Sequence, residues 1–169
     1  NGFTLDGNHE FATFFAFQSD TTFHNITITG SKTKGIDVQE GTLRVSRSTI
    51  RDNEVHGIEA YATDVVVVES TLAGNLYNGI NFFEENSTLT AINTTVAGNG
   101  ATGVIVVDGA AEFTHVTIAN NDGGVYISFG SAIIDNSILA GNGLEDCASL
   151  ASTIDVNFSL VQSDSSFSP

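Results

Sequence analysis

The chain is 169 residues long and carries 5 Lys and Arg against 20 Asp and Glu, a formal net charge of −15. Such an acidic chain repels nucleic acid and anionic membrane surfaces, so we expect neither as a partner. Its single cysteine excludes an internal disulfide, and no apolar run is long enough to cross a bilayer.

A repeated unit begins in the N-terminal segment and continues almost to the end of the chain. Each copy carries Thr or Ser, an aliphatic residue, two small or polar residues and Asn, as in Ser70–Asn75 (STLAGN). A regular period of roughly 22 residues indicates structural units stacked along one axis. The aliphatic residues, which we call anchors, are Ile28, Ile50, Leu72, Val96, Ile118, Leu139 and Leu160.

Two further short segments complete each unit. One, such as Thr42–Val45, precedes the next anchor, and the other follows a glycine with alternating apolar residues. All three segments have period two and are rich in β-branched residues, which predicts three short strands and no helix. A two-residue insertion around 83–86 explains the longest step. The glycines are Gly35, Gly57, Gly79, Gly103 and Gly124.

These elements predict an all-β fold, a parallel β-helix of about seven coils of about 22 residues. Residues 1–31 would form the N-terminal coils, 32–142 the regular coils and 143–163 a degraded last coil, within one β-helix over 1–163. A Ser-rich tail follows at 164–169.

Residues one period apart should form columns along the axis. The anchors should form one inward column, and Phe23, Val45, Val67, Ala91, Phe113 and Ile134 another. A further column is expected where a tight turn needs left-handed φ, with its side-chain amides hydrogen-bonded from coil to coil. It consists of Asn53, Asn75, Asn99, Asn121 and Asn142.

The coils resemble those of right-handed parallel β-helix proteins, the pectate-lyase-like superfamily, over nearly the whole chain. Phe3–Asn8 followed by Phe23–Gly30 resembles the first coils of bacterial surface β-helix proteins. Asn136–Asn142, with Asp146-Cys147 and Asn157–Leu160, resembles repeat ends in bacterial exoproteins of the choice-of-anchor Q type. The resemblance implies a single-stranded, right-handed β-helix. It implies no reaction.

Enzymes of this superfamily cleave acidic polysaccharides, using Ca²⁺-binding carboxylates with an Arg or Lys base, or two or three neighbouring Asp. The cations allow a small anion-binding or lyase site flanked by Asp37, His56 and Glu59. They also allow ordinary ion pairs, such as Arg47 with Glu69 one coil above, which we favour because no general base has a defined partner. We therefore assign no catalytic residue. The cations are Lys32, Lys34, Arg44, Arg47 and Arg51.

Acidic turns supply the hard oxygen ligands that Ca²⁺ takes. Solvated turns are the favoured interpretation, because none matches the Gly- and Asp-rich nonapeptide of Ca²⁺-binding β-rolls. We expect no cofactor, with Ca²⁺ as the one candidate. Its candidate ligands are Asp52, Glu54, Glu84, Glu85 and Asp122.

Four Asn-x-Ser/Thr sequons are candidate glycosylation sites, although Asn and Thr columns two residues apart produce such sequons automatically. They lie at Asn25, Asn86, Asn93 and Asn157.

A patch of outward aromatic and aliphatic residues follows the glycines. It should lie beside Asp37 and Glu59 and could stack on sugar rings or dock another chain. Cover by a loop or terminus explains it equally well. The patch consists of Tyr61, Phe83, Ile105, Val107 and Tyr126.

Two functions follow from these features. The first is a non-catalytic structural or adhesive solenoid, a subunit or repeat of a surface protein or fibre, located outside the cell or at its surface. The alternative is a fragment of a lyase or hydrolase acting on acidic glycans. Short, uniform turns favour the first, because active clefts on solenoids are built from long loops.

Self-association is also expected. Phe3–Asn8 forms a half-coil without a polar cap, above a predicted apolar floor of Phe14, Phe15 and Phe23. Covering this edge with earlier residues, or with Asn157–Pro169 of a neighbour, would give adjacent repeats or a head-to-tail fibre.

Overall fold

Parallel strands of successive coils pair edge to edge in the structure, a computed structural model that describes residues 2–8, 11–84 and 86–162. Every pairing within those ranges is parallel, and they contain no helix long and apolar enough to span a membrane. The predicted calcium ligand Glu85, residue 163 and the tail at 164–169 lie outside the described residues.

The strands form two sheets. The first sheet runs β1-β3-β5-β7-β10-β13-β16-β19, and the second contains all the others. In chain order they are β1 (Phe3–Asp6), β2 (Phe14–His24), β3 (Ile26–Thr29), β4 (Ile36–Ser46), β5 (Thr49–Arg51), β6 (Ile58–Val68), β7 (Thr71–Ala73), β8 (Ile80–Phe83), β9 (Thr88–Ile92), β10 (Thr95–Ala97), β11 (Thr102–Val107), β12 (Ala110–Thr114), β13 (Thr117–Ala119), β14 (Gly123–Ser128), β15 (Ser131–Asp135), β16 (Ile138–Ala140), β17 (Cys147–Leu150), β18 (Thr153–Asn157) and β19 (Leu160–Val161).

Single residues with left-handed φ bend the chain between segments. Gln18, Glu40 and Ala62 bend the long strands β2, β4 and β6, and the same bend divides two strands in later coils. The predicted three strands per coil are therefore separate only from β8 onwards. Other such residues recur at each turn into the first sheet, at Asn25, Arg47, Glu69, Asn93, His115, Asn136 and Phe158.

The predicted conformation of the Asn column was wrong by one position. The residue before each Asn takes the left-handed φ, as at Asp52 and Gly74, while Asn53 and Asn75 do not. These Asn side chains instead point into the interior, where Asn53, Asn75, Asn99 and Asn121 are at most 3% exposed.

The Asn column forms the predicted hydrogen-bonded ladder. Asn53 Nδ2 donates to Asn75 Oδ1 at 2.8 Å, and the pattern repeats at each step up to Asn142. At the last step the Asn142 amide donates to the carboxylate of Asp146 at 2.6 Å. This bond is the shortest side-chain bond of the ladder.

The core lies between the two sheets and consists of the predicted inward columns. The anchors from Ile28 to Leu139 are buried, and so is the column from Phe23 to Ile134. The last coil differs, because Val161 rather than Leu160 pairs with Leu139. Leu160 is 56% exposed, so its prediction as an inward residue was wrong by one position.

The predicted insertion lies between β8 and β9. Tyr61 pairs with Phe83 and Val65 pairs with Leu89, so the step along the chain is longer by two positions for the second pair. The added residues are therefore accommodated in a turn, and the pairing on both sides continues unchanged.

We predict that Val67→Asp destabilises the protein by at least ~3 kcal/mol, because it buries an unpaired charge where the native side chain is fully buried. For a domain of this size, thermal melting should fall by about 10 °C. Val66→Asp is the matched control, since Val66 faces outward beside Arg44. Equal melting temperatures for the two variants would contradict the assigned columns.

Candidate functional site

The segments that follow the repeated glycines present one continuous outward face, which we call the glycine face. Two of its columns lie on strands and are fixed by the register. The inner column is Phe15, Asp37, Glu59, Asn81, Ile105, Tyr126 and Ala148. The outer column is Phe17, Gln39, Tyr61, Phe83, Val107, Ser128 and Leu150. A turn column precedes them, at Lys34, His56, Asn78, Thr102, Gly123 and Glu145.

The predicted patch lies within this face. Tyr61, Phe83 and Val107 are stacked in the outer column, and Ile105 and Tyr126 are neighbours in the inner column. Tyr61 is 49% exposed, and the other four are partly exposed. The structure therefore brings all five together on one surface, and their use in binding stays a prediction.

Ionic contacts organise the lower part of the face. Lys34 Nζ contacts Asp37 Oδ2 at 3.0 Å and also pairs with Glu59 on the next coil. Partial burial lowers the pKa of Lys34, but the hydrogen bonds and charges of Glu59 and Asp37 outweigh it and raise that pKa above its ordinary value. The ammonium is therefore held in its charged form between two carboxylates.

His56 extends this cluster to the third coil. Its Nδ1 accepts a hydrogen bond from the Asn78 backbone N–H at 3.2 Å, which places the proton of the neutral ring on Nε2. Nε2 lies 3.5 Å from Glu59 Oε2, and Asn81 Nδ2 donates to the same oxygen at 3.3 Å. Tyr77 packs edge-on against the ring at 6.1 Å.

The charge of His56 is governed mainly by its burial. Desolvation lowers the pKa of His56, the Glu59 carboxylate acts in the opposite direction, and Lys34 lowers it further. The net shift is downward, so the imidazole is neutral at pH 7. We call Lys34, Asp37, His56, Glu59, Asn78 and Asn81 the polar cluster.

The polar cluster has little capacity for proton abstraction. Lys34 is protonated, the Nδ1 lone pair of His56 is occupied by a backbone amide, and Glu59 accepts from Lys34 and Asn81. Asp37 Oδ1 accepts no hydrogen bond, but this atom is buried and the residue is only 9% exposed. A general base must be unprotonated and within reach of substrate, and none of these groups is both.

Other cations pair with carboxylates as well. Arg47 Nε contacts Glu69 Oε2 at 2.6 Å, as the sequence predicted, and Arg51 pairs with Asp52. Together with Lys34, three of the Lys and Arg side chains form ion pairs within the part of the chain that the structure describes. Ordinary pairing thus accounts for these charges better than the anion-binding site that the sequence allowed.

Sequence analysis grouped Asp37, His56 and Glu59 with the cations but missed the two asparagines of the polar cluster, although the repeats carry a signal for them. Lys34 and Asp37, His56 and Glu59, and Asn78 and Asn81 occupy the same two positions around a glycine in three consecutive coils. Neighbouring columns bring such pairs together. The spacing could have predicted that the asparagine pair joins the charged residues in one cluster.

The upper part of the glycine face contains a recess of about 110 Å³. In these coils the turn column consists of Thr102, Gly123 and Glu145. The inner column consists of Ile105, Tyr126 and Ala148. The recess thus begins where the polar pairs end. It is lined by Thr102, Gly123, Gly124, Val125, Tyr126, Leu144, Glu145 and Ala148.

The candidate calcium ligands do not converge. Asp52 and Asp122 lie in turns after the first sheet, whereas Glu84 lies at the bend of the second sheet. Glu84 hydrogen-bonds to Tyr61, which raises the pKa of that phenol above its ordinary value. No group of three or more His, Cys, Asp or Glu that could hold a metal occurs among the described residues.

The four sequon asparagines are all exposed. Asn25 and Asn93 lie at the bends into the first sheet, Asn86 lies in the insertion, and Asn157 ends β18. The side chains are thus open to modification, which stays a prediction.

Comparisons with known proteins agree with the architecture. The family description "Right handed beta helix region" matches residues 2–96, more than half of the chain. The crystal structure of pectate lyase Pel9A is similar with a TM-score of 0.56 and 15% sequence identity, over 93% of this chain and 52% of that one. The chain thus spans about half the length of that lyase, and this likeness concerns the fold alone. No curated protein sequence matches.

We predict that His56 makes the protein less stable as the pH falls from 7 to 5.5. Because the folded-state pKa lies below the unfolded value of about 6.5, the unfolded chain takes up the proton first. The contribution of His56 to the stability of the fold is complete above the unfolded-state pKa and declines as the pH falls below it. His56→Gln should flatten the melting temperature over this range, and exposed His24→Gln should not. Identical pH profiles for the parent and His56→Gln would contradict this assignment.

Proposed function

We propose, from the premise that this chain belongs to the right-handed β-helix family, that it is a non-catalytic solenoid with a structural or adhesive role. It would serve as a subunit or repeat of an extracellular or cell-surface protein or fibre. The observation that carries this proposal is the geometry of the turns. The chain has the fold of a pectate-lyase-like parallel β-helix. The other support for the proposal lies in the chain's own residues.

The turns of this chain are too short to form an active cleft. A single left-handed residue makes each bend into the first sheet, and the insertion between β8 and β9 adds only two residues to one coil. Substrate clefts on solenoids are built from long loops on one face. Among the described residues, no such long loop projects above a sheet.

The chemistry of the polar cluster supports the same proposal. Its lysine is protonated and ion-paired, and the Nδ1 lone pair of its histidine accepts a backbone hydrogen bond. Neither group can therefore abstract a proton from a sugar ring. A lyase must also neutralise the carboxylate of its substrate, and the cations available for that purpose are largely paired. The polar cluster therefore offers no free Lys or His as a base for the alternative, cleavage of acidic glycans.

Adhesion through the glycine face follows from its exposed rings. Tyr61 and Tyr126 offer an apolar surface with a hydroxyl at its edge, which suits contact with a carbohydrate or with another protein chain. The coil-to-coil backbone pairing fixes the spacing between them. Such a preordered surface binds without first losing conformational entropy.

Self-association is the second part of the proposal, and it rests on the two end coils. Phe3 is 81% exposed on β1, at one edge of the first sheet, and Leu160 lies on β19 at the other. The apolar floor beneath β1 differs from the predicted one. Phe14 packs edge-on against Phe23 at 4.9 Å, whereas Phe15 faces outward, so its assignment to the floor was wrong. Exposed strand edges above an apolar floor favour head-to-tail contacts between copies or adjacent repeats.

We predict no cleavage of polygalacturonate or alginate by this protein, with Ca²⁺ or with EDTA. The measurements are ultraviolet absorbance of unsaturated products for lyase chemistry and new reducing ends for hydrolysis. The polar cluster offers no free Lys or His for a base-dependent step, so we expect both signals to equal the enzyme-free control. Product formation that disappears in Lys34→Ala or Asp37→Asn would overturn the proposal in favour of the enzymatic alternative.

We also predict that the average mass in analytical ultracentrifugation rises with protein concentration. Leu5→Asp places a charge in the inward column of β1, one coil from Ile28, and should suppress the increase. Phe129→Asn is the control, because it removes an exposed ring from a bend of the second sheet and keeps a residue that tolerates left-handed φ. A monomer at all concentrations would refute head-to-tail contact.

A further inference from the structure

We propose that the recess beside Tyr126 and Leu144 binds one ring of an amine-bearing sugar, a hexosamine within a glycan. This inference rests on the proposed adhesive function and names the ligand class of part of the glycine face. It concerns the upper coils, where the polar cluster is absent.

The walls of the recess suit an amphipathic ring. Tyr126 and Leu144 contribute aromatic and aliphatic surface, and Gly123 and Gly124 line the recess without a side chain of their own. Leu144 is 69% exposed, a large unshielded apolar side chain next to a cavity. A pyranose ring has an apolar C–H face and polar edges, so one face can stack on Tyr126 while its edges meet hydrogen-bonding groups.

Hydrogen-bonding groups are present at the edge of this surface. Thr102 offers a hydroxyl and Glu145 a carboxylate, both among the lining residues. Glu145 is exposed and lies in the turn column at the position that Lys34 and His56 occupy in lower coils. A carboxylate at this position accepts hydrogen bonds from hydroxyl or ammonium groups and repels an anionic ring.

The charge distribution selects the amine-bearing sugar. All Lys and Arg precede residue 52, and the sequence after it contains fourteen Asp and Glu with no Lys or Arg. Asp122 adds to the negative charge next to the recess, because its Oδ1 lies near Gly143, the residue before Leu144. No side-chain ammonium or guanidinium in the upper coils can pair with a uronate, whereas an ammonium group finds the Glu145 carboxylate in the lining.

A sugar fits the recess better than a peptide does. Binding of an extended peptide by strand addition needs an unpaired strand edge, which β11 and β14 lack and which β17 has only on the side away from β14. The small volume, about 110 Å³, accommodates part of a ring and leaves the other face in water. A single hexosamine has few heavy atoms to contribute, so we expect a Kd on the order of millimolar.

The test is a two-dimensional ¹H–¹⁵N NMR titration of the folded protein with three monosaccharides that differ in charge. Glucosamine should shift the amides of Gly123, Gly124 and Ala148, glucose should bind several-fold more weakly, and glucuronate should bind weakest. In Glu145→Gln the Kd for glucosamine should approach the Kd for glucose, since one exposed ionic contact changes the Kd by about a factor of five at most. Higher salt should weaken glucosamine binding in the parent and not in Glu145→Gln.

Two further variants separate the recess from the rest of the surface. Ala148→Leu fills the recess from an outward position, and Tyr126→Ala removes the ring, so both should abolish the shifts while thermal melting is retained. Phe129→Asn, an exposed aromatic outside the recess, should bind as the parent does.

Several results would overturn the inference. They are glucuronate binding as tightly as glucosamine, shifts that map away from the recess, and binding that persists in Ala148→Leu. Equal binding of a Lys-rich peptide at the same amides would replace the sugar with a protein partner. None of these results bears on catalysis, which is decided separately by product formation, so failure here leaves the non-catalytic assignment intact.

Discussion

Backbone hydrogen bonding between successive coils is the constraint on which this molecule depends. Each N–H and C=O of a strand is satisfied by the coil before or after it, so every coil must return to the same register one period later. Length changes are confined to turns, as with the two residues added between β8 and β9. The same constraint stacks equivalent side chains about 4.8 Å apart. Columns rather than single residues are therefore the units in which this sequence determines core, turn and surface.

The buried Asn ladder shows how this constraint acts on polar groups. Each turn after the first sheet brings backbone amides into the interior, and the carboxamide of the next coil satisfies them; Asn99 Oδ1, for example, accepts from both the backbone N–H and Nδ2 of Asn75. Every Asn therefore depends on the next coil. At the upper end the series needs an acceptor that is not another Asn, and Asp146 provides it with a carboxylate. Asp146 and Cys147 stand where earlier coils carry Gly and an aliphatic residue, so this departure from the repeat has a structural role in closing the ladder.

Most of the architecture could be predicted from the sequence, because so regular a period leaves few alternatives. The inward columns and the Asn ladder were identified in this way. The wrong predictions concern single positions, where a shift of one residue changes the assignment. Left-handed φ belongs to the residue before each Asn, since φ depends on backbone geometry that composition does not reveal. Leu160 was misplaced because the last step is one position longer than the step before it, and no later repeat shows the new register. The asparagines of the polar cluster were missed although the repeat spacing places them beside His56 and Glu59, and only the three-dimensional structure gives the side-chain directions that decide the contacts.

The glycine face combines these consequences. Its lower half carries three polar pairs that satisfy one another, so Lys34 and His56 are unavailable for chemistry although they are the residue types that an active site would use. In its upper half the inner column becomes apolar and aromatic, and carboxylates there have no Lys or Arg with which to pair. The regular pairing of coils thus turns a change in repeat sequence into a boundary on the surface, with an internally hydrogen-bonded region below and an acidic recess above. Because the backbone pairing is continuous across that boundary, the surface chemistry can differ between coils without any change in the scaffold. This separation of scaffold from surface explains how one fold can carry a lyase in one protein and, as we propose, an adhesive face in this one.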